Sequence, residues 1–431
     1  MAPSLDRREI LVAALIAGAL HGALACAGIF AGLEGTYAHA DQVRYHAPTI
    51  AKMAAEMPSP VLSDYQSATA PGFHLMMSAL RAIGADTIVL HAWNALLGVL
   101  LVAFATTLVA ARAGGMVGVV FGAALGLSPY TLNPSIWLAT DNLATLFVLA
   151  AFAAALPLAV GRDPRSAVAG AAASILAVAA TFVRQIMAYA AAFPGAAIVA
   201  RACAERRLPR ATTLFAAGVA LVPSLALVGA LVWLWGGLVP PSFQQYHGAG
   251  GNPATPIYAL ALVGIWGLAA FLGVPGFLRE LFTPRIALVA LLAGAACCLV
   301  PSNYVVHVRF GGVLWTIASK FPVVMERSLF LVPLAALGAA AIGAYLRLWS
   351  RTHDTTARGL GAYALLALFG GVAAQTANSQ CFERYLQPPV LVFTAIAATA
   401  LAGRNYRVMP LVAAAALAAV LSAMNILRGG S

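Results

Sequence analysis

The chain has 431 residues, of which 62% are hydrophobic and 9% are charged, whereas a soluble domain carries about a quarter charged residues. This composition excludes a water-soluble globular protein and a disordered chain, and five Cys are too few for a disulfide scaffold of this length. The class is a polytopic membrane protein. Its net charge of +11 would suggest a nucleic-acid partner only in a soluble protein, so we first divide that charge between the two sides of the membrane.

Thirteen apolar runs predict an all-α, single-domain protein (1–431) with about thirteen transmembrane helices. The runs lie near 10–33, 88–111, 114–129, 141–160, 166–182, 186–200, 211–236, 256–277, 285–300, 327–346, 359–377, 388–402 and 408–426. The first run is too long for a signal-peptide core, and its weakly basic flank places the N-terminus inside. A fourteenth candidate, 71–83, is short and carries His74 and Arg81, which favours an interfacial or re-entrant helix.

The two sides of the membrane differ in charge and in character. With thirteen spans, the inner segments hold sixteen Arg and six acids, and the outer segments hold nine basic and eight acidic residues, as the positive-inside rule requires. The inner connections are short and basic. The expected outer connections, which are 34–87, 129–140, 236–256, 301–326 and 377–388, are longer and chemically mixed. We therefore expect the functional site at the outer surface.

The first outer connection contains Asp41-Gln42-Val43-Arg44-Tyr45-His46 and then an amphipathic stretch, 50–56. An acid that opens this loop, followed by Arg-Tyr and a juxtamembrane helix, resembles the GT-C glycosyltransferases, which are integral-membrane enzymes that take a sugar from a polyprenyl-phosphate carrier. The Asp-x-x-Arg-Tyr spacing is similar to that of the lipid A aminoarabinose transferases. The resemblance implies that Asp41 is the general base or positions the acceptor, since a carboxylate can take the proton of an attacking hydroxyl. A solvated loop acid is the alternative.

Later patches are similar to the eukaryotic enzyme that adds the last glucose to the dolichol-linked oligosaccharide. They lie at 69–72, 183–185, 236–247 and 382–389. Other branches have a Lys-Pro-Pro-Leu patch at the first of these places, and this chain lacks that Lys. In the third patch, Pro-Pro-Ser at 240–242 replaces the family's Gly-Asp-Lys. None of the matches exceeds about five residues, so the resemblance rests on their order along the chain and their shared outer side.

Three arginines on the outer side are candidates to hold the carrier phosphate: Arg184, Arg384 and Arg327. An Arg at membrane depth costs about 2.5–3.5 kcal/mol on insertion scales, so Arg184 needs a partner, either the phosphate or an outer acid such as Asp141. Asp141 opens a span, where it can be a helix cap or a second catalytic acid. Arg384 and Arg327 each have an adjacent acid, so simple surface pairing is an alternative for both.

Aromatic, histidine, hydroxyl and acidic side chains on the same side are expected to surround the sugar or the acceptor, because sugar C–H faces stack on rings and hydroxyls need polar partners. The candidates are Tyr45, His46, Thr69, His74, Tyr246, His247, His307 and Glu383. An interfacial aromatic belt is the alternative for the aromatic residues. The histidine spacings are not those of a zinc site, and no common catalytic motif supports another chemistry.

These patterns predict an inverting glycosyltransferase that uses a polyprenyl-phosphate monosaccharide as the donor and a glycan or lipid as the acceptor. We expect a monomer that requires no cofactor or metal and binds no nucleic acid. A multi-span transporter or lipid flippase is the alternative, although its polar residues should lie at mid-membrane, whereas here they crowd the outer ends. Two Lys against twenty-three Arg are typical of a high-GC bacterium. We therefore expect the inner membrane, a site that faces the periplasm, and undecaprenyl phosphate as the carrier.

Overall fold

The computed structural model describes residues 6–33, 36–161, 166–247, 250–302 and 309–429. Helices dominate this part of the chain. In order they are α1 (Arg7–Ala31), α2 (Tyr37–Asp41), α3 (Ala47–Ala55), α4 (Gly72–Ala82), α5 (Thr87–Ala113), α6 (Gly115–Gly126), α7 (Pro129–Ile136), α8 (Asp141–Val160), α9 (Ser166–Val183), α10 (Phe193–Glu205), α11 (Ala211–Trp235), α12 (Thr255–Leu262), α13 (Leu268–Leu272), α14 (Phe277–Leu281), α15 (Pro284–Cys297), α16 (Val313–Ala318), α17 (Leu331–Arg351), α18 (Thr355–Thr376), α19 (Glu383–Ala402) and α20 (Met409–Gly429).

Two other helix types occur in short segments. Gln185–Ala192, Pro241–Tyr246 and Gly403–Asn405 are 3-10 helices, and Gln42–His46 and Val263–Gly267 are π-helical turns. The π turns continue neighbouring α-helices, since Gln42–His46 joins α2 to α3 and Val263–Gly267 joins α12 to α13. The first of the 3-10 segments leads directly into α10, so the two together form one long apolar element.

Each of the thirteen predicted apolar runs coincides with a helix, which confirms the all-α, multi-pass class. Among the described residues, ten helices are long and apolar enough to cross a membrane. The pair α6 and α7 passes the same test together but is bent by 66°. Ala167–Val183 and Pro284–Cys297 are apolar but shorter. The thirteen expected spans therefore correspond to ten full-length helices, one broken pair and two shorter helices.

Several helices begin or end where the local sequence provides a cap. The carboxylate of Asp6 accepts a hydrogen bond from the backbone N–H of Arg8 (2.9 Å) and so caps the start of α1. Gly32 follows α1 and Gly236 follows α11, and both have a left-handed φ (+60° and +68°) that a glycine adopts without strain. The second of these glycines turns the chain into the predicted third outer connection.

The core is centred on α19, which is the most completely buried of the long helices. Aromatic rings from four helices meet there: Phe152 of α8 stacks on Tyr363 of α18 with ring centroids 4.2 Å apart, and Phe193 and Phe393 pack against this pair. By contrast, α11 exposes large apolar side chains such as Phe215. Such a surface suits contact with lipid.

The first connection predicted to be outer contains the helices α2, α3 and α4, and α4 has 11 residues, which is too short to cross about 30 Å of hydrocarbon. Two pairs of very short strands were not predicted. β1 (Arg309–Gly311) runs parallel to β4 (Gln380–Phe382), and β2 (Val323–Val324) is antiparallel to β3 (Arg327–Ser328). The β1–β4 register pairs residue 310 with Cys381 and joins the fourth of the connections predicted to be outer to the fifth.

One helix start differs from the apolar pattern. α19 begins at Glu383, whereas the predicted apolar run begins at Pro388. The adjacent prolines Pro388 and Pro389 lie near the start of the helix and not at its boundary. Each proline removes one backbone donor, so only two hydrogen bonds of the second turn are lost and the helix continues. This earlier start brings Arg384 and Tyr385 onto the first turn of α19.

Candidate active site

A cavity of about 780 Å³ opens among four of the connections predicted to be outer, at the ends of α8, α9, α11 and α19. Nine of the predicted site residues line it: Asp41, Tyr45, His46, Thr69, Asp141, Arg184, Tyr246, His247 and Arg384. Residues that are far apart in the sequence therefore share one wall. Their individual roles stay predictions.

Arg184 lies at the break between α9 and the following 3-10 segment, where the chain becomes extended for one residue. Its Nη1 donates to Oδ1 of Asp141 (2.7 Å) and to the hydroxyl of Thr140 (3.2 Å). Both charged side chains are less than a tenth exposed. The guanidinium also lies 4.5 Å from the ring centroid of Tyr385. The partner that the buried arginine requires is thus Asp141, the acid at the start of α8.

Arg384 pairs with Asp41 and not with its sequence neighbour Glu383. Its Nη1 donates to Oδ2 of Asp41 (2.5 Å), and its Nη2 donates to the hydroxyl of Tyr385 (3.1 Å). The guanidinium is surrounded by the rings of Tyr37, Phe382 and Tyr385, whose centroids lie 5.1–5.3 Å away. Tyr385 therefore contacts both arginines and separates the two ion pairs. The sequence pattern did not single out Tyr385, although the Arg-Tyr pair at 384–385 was visible.

Two opposing effects act on the ionisation of Asp41. Burial of this carboxyl favours its neutral form, but the charge of Arg384 and the hydrogen bond from it outweigh burial and lower the pKa of Asp41 below its ordinary value. Asp41 is therefore ionised at neutral pH. An ionised carboxylate beside two guanidinium groups can accept a proton while the arginines bind an anion.

His46 lines the cavity, and His74 lies behind it without reaching the cavity wall. Nδ1 of His46 and Nε2 of His74 are hydrogen-bonded at 2.9 Å. Burial lowers the pKa of His46 to about 4, and burial also lowers the pKa of His74. At neutral pH both rings are neutral, so His46 offers the cavity a polar but uncharged group.

Gln185 holds the rim of the cavity together, and the sequence did not predict this role. Its amide nitrogen donates to the carbonyls of Ala68 (2.8 Å) and Leu238 (2.7 Å), and its amide oxygen accepts from the N–H of Ala70 (2.9 Å). It thereby joins the first of the connections predicted to be outer to the third. The visible signal was the polar amide next to Arg184 in an apolar region.

Other predicted residues contribute to the cavity wall through packing and local hydrogen bonds. The ring of Tyr45 meets Phe243 edge to face at 5.0 Å, and Tyr246 packs on the same phenyl ring at 5.3 Å. The hydroxyls of Thr69 and Ser67 are hydrogen-bonded at 3.1 Å. Aromatic faces beside small hydroxyls are a suitable lining for a sugar.

Besides His74, two of the predicted residues that the structure describes are not part of this wall. Glu383 is buried on the far side of the first turn of α19, where Oε2 accepts from the N–H of Leu314 (2.7 Å) and the hydroxyl of Tyr258 (3.1 Å). Arg327 lies in β3 and donates to the carbonyls of Cys298 (2.9 Å) and Met325. His307 lies outside the described residues.

A second cavity of about 380 Å³ lies on the other side of the ion pair between Asp41 and Arg384, since both residues line the two cavities. Its wall also contains Tyr37, Tyr130 and Asn425. No group of three or more His, Cys, Asp or Glu side chains arranged to bind a metal occurs in the described part of the chain. Among the described residues that line the larger cavity, the charged ones are two carboxylates and two arginines.

The chain matches no protein-family model and no curated protein. Among solved structures it is similar to two crystal structures of ArnT from Cupriavidus metallidurans, one in the apo state and one bound to undecaprenyl phosphate. The sequence identities are 16% and 17%, the TM-scores are 0.35 and 0.36, and each match covers 90% of this chain and 77% of ArnT. Similarity at this level assigns neither a family nor a function.

Proposed function

We propose that this protein is an inverting glycosyltransferase that moves a monosaccharide, a glucose-like hexose, from a polyprenyl-phosphate carrier to the hydroxyl of a glycan or lipid acceptor. The observation that carries the proposal is the meeting of two carboxylates and two guanidinium groups, Asp41, Asp141, Arg184 and Arg384, in one cavity at the ends of apolar helices. Such a transfer needs a base for the acceptor and positive charge for the departing phosphate, within reach of a lipid.

The proposed chemistry is a single displacement. The acceptor oxygen attacks the anomeric carbon of the sugar while its proton passes to a carboxylate oxygen of Asp41, and the bond from that carbon to the phosphate oxygen breaks. Attack on the face opposite the leaving group inverts the anomeric configuration. The polyprenyl phosphate leaves with the bonding electrons, and Arg184 and Arg384 stabilise its growing negative charge because each guanidinium has several donors.

We propose different roles for the two acids, because their ion pairs differ in exposure. Asp141 is held by Arg184 (2.7 Å), so we assign it the task of orienting that guanidinium. Asp41 is more exposed than Asp141, and its partner Arg384 has further donors for a phosphate oxygen. The motif resemblance around Asp41 supports the same assignment. Because Arg327 lies outside the cavity wall, we do not assign it to phosphate binding.

The charge asymmetry of the connections supports a location in a bacterial inner membrane with the cavity toward the periplasm. Undecaprenyl phosphate is then the proposed carrier. The apolar surfaces of the surrounding helices would hold its chain, and the cavity would hold its phosphate and sugar. The acceptor would approach from the aqueous side.

The test is transfer by the purified protein in lipid nanodiscs with radiolabelled undecaprenyl-phosphate glucose and a panel of glycan and lipid acceptors. Release of free undecaprenyl phosphate together with a glycosylated product supports the proposal. Asp41→Asn is expected to lower turnover by 100-fold or more, since general-base catalysis typically contributes about 10²–10⁴-fold. The matched control is Asp86→Asn, because Asp86 caps α5 outside the cavity and Asn is an equally good cap.

Two results would contradict the proposal. Full turnover of Asp41→Asn in a folded protein removes Asp41 as the base. Movement of intact lipid-linked sugar across the bilayer, without release of free carrier, identifies a flippase instead.

A further inference from the structure

Two histidines behind the cavity form a buried pair. His74 has no exposed surface, and His46 is 7% exposed and lines the cavity. Their hydrogen bond joins Nδ1 of His46 to Nε2 of His74 at 2.9 Å, and their ring centroids lie 5.1 Å apart. The rings of Phe73 and Tyr65 pack around His74. The pair is thus held by packing as well as by the hydrogen bond.

Both rings are neutral, so one nitrogen of the pair donates and the other accepts. Nδ1 of His74 is buried and has no hydrogen-bond partner in the described structure. If His74 accepted through Nε2, its proton would lie on Nδ1 as a buried N–H without an acceptor. If His74 donates through Nε2, only a lone pair is left unpaired. Orphaned buried N–H groups are rarer than under-satisfied acceptors, so the second arrangement is favoured.

This arrangement decides what His46 presents to the cavity. With Nδ1 of His46 accepting from His74, the proton of His46 lies on Nε2. That nitrogen has no hydrogen-bond partner among the described residues, and the ring lines the cavity.

We propose that His74 sets the tautomer of His46 so that Nε2–H of His46 is a neutral hydrogen-bond donor to a hydroxyl oxygen of the transferred sugar. The choice of the sugar rests on the proposed function. Arg184 and Arg384 already provide charged donors that suit a phosphate, whereas an uncharged donor suits a hydroxyl. His46 binds the sugar in this scheme, and His74 is a positioning residue that never touches it.

The tautomer can be measured without any substrate. Nitrogen-15 NMR of the full chain labelled at its eight histidines, in lipid nanodiscs, distinguishes protonated from unprotonated ring nitrogens, and His46→Asn identifies the His46 signals. We expect a protonated Nε2 and an unprotonated Nδ1 on His46. The reverse tautomer, or a doubly protonated ring at pH 7, overturns the inference whether or not the protein transfers sugar.

The sugar contact is tested by affinity for two probes, undecaprenyl phosphate and undecaprenyl-phosphate glucose. His46→Phe should weaken binding of the glucose-bearing probe about three- to tenfold, the value of one neutral hydrogen bond, and leave the sugar-free probe unchanged. His74→Gln keeps a donor near the position of Nε2 and should bind like the wild type, whereas His74→Leu should resemble His46→Phe.

Three results would overturn the proposed contact. The first is that His46→Phe loses affinity equally for both probes, and the second is that it loses no affinity for the glucose-bearing probe. The third is that His74→Gln binds the glucose-bearing probe as weakly as His74→Leu does. If the wild type binds the glucose-bearing probe but never transfers glucose, the proposed function fails, while the comparison of the two probes still decides the role of His46. The thermal unfolding of each variant in nanodiscs shows that the compared proteins are folded.

Discussion

Removing one member of the buried ion pair between Arg184 and Asp141 tests how much this pair contributes to the stability of the protein. The two atoms are 2.7 Å apart, and the side chains are 7% and 9% exposed. Asp141→Asn leaves the guanidinium in place with the Thr140 hydroxyl and the face of Tyr385 as its contacts. Removing one member of a buried ion pair costs about 3–5 kcal/mol, because the remaining charge is then buried without a counter-charge. We expect a loss of this size in the free energy of unfolding.

An exposed ion pair in the same protein provides the matched control. Arg201 and Glu205 are 2.9 Å apart on α10, with side chains 38% and 28% exposed, and such pairs contribute about 0–1 kcal/mol. Glu205→Gln should therefore change stability little. The measurement is reversible unfolding in mixed micelles with increasing SDS. The double variant Asp141→Leu, Arg184→Met removes both charges and should recover much of the loss. If Asp141→Asn costs no more than Glu205→Gln, the buried pair is not what keeps Arg184 in place, and the reasoning is refuted.

Two further predictions concern helix contact and pH. A Cβ on Gly338 would lie 1.9 Å from the carbonyl oxygen of Leu260, so Gly338→Ala should lower the same unfolding free energy by about 1–3 kcal/mol. The control is Gly229→Ala, which should leave the unfolding free energy unchanged because the added Cβ meets no atom within 4 Å. Equal losses in the two variants would contradict the close contact of Gly338 with Leu260. Arg384 holds the pKa of Asp41 below its ordinary value against the effect of burial, so Arg384→Gln should raise that pKa and move the acid limb of residual transfer to higher pH. An unmoved limb in the pH profile would exclude Asp41 as its source.

The positions of the long apolar helices were accessible from the sequence, and their number was approximate. A backbone in lipid has no water to hydrogen-bond, so a long apolar run has to form a helix. Each predicted run is helical in the structure. The start of α19 was less accessible, because the prolines at 388 and 389 favour a boundary there by local rules, whereas the helix in the structure begins at Glu383.

The membership of the cavity was partly accessible. The sequence indicated that Asp41, Asp141, Arg184 and Arg384 share a side of the membrane, and the structure places all four in one wall. The sequence did not indicate that Gln185 hydrogen-bonds to both sides of the cavity rim. The polar amide next to Arg184 was visible in the sequence, but its bonds to backbone groups of two distant connections depend on how those connections fold together.

The pairing of the charges was decided only by the tertiary structure. Adjacency suggested that Glu383 pairs with Arg384, but successive residues on a helix point about 100° apart. Arg384 instead meets Asp41, which is 343 positions away, and Glu383 faces Tyr258 and the N–H of Leu314. The net charge of +11 and its distribution are properties of the sequence. Which acid neutralises which arginine depends on how the helices pack, because ion pairs form between neighbours in space.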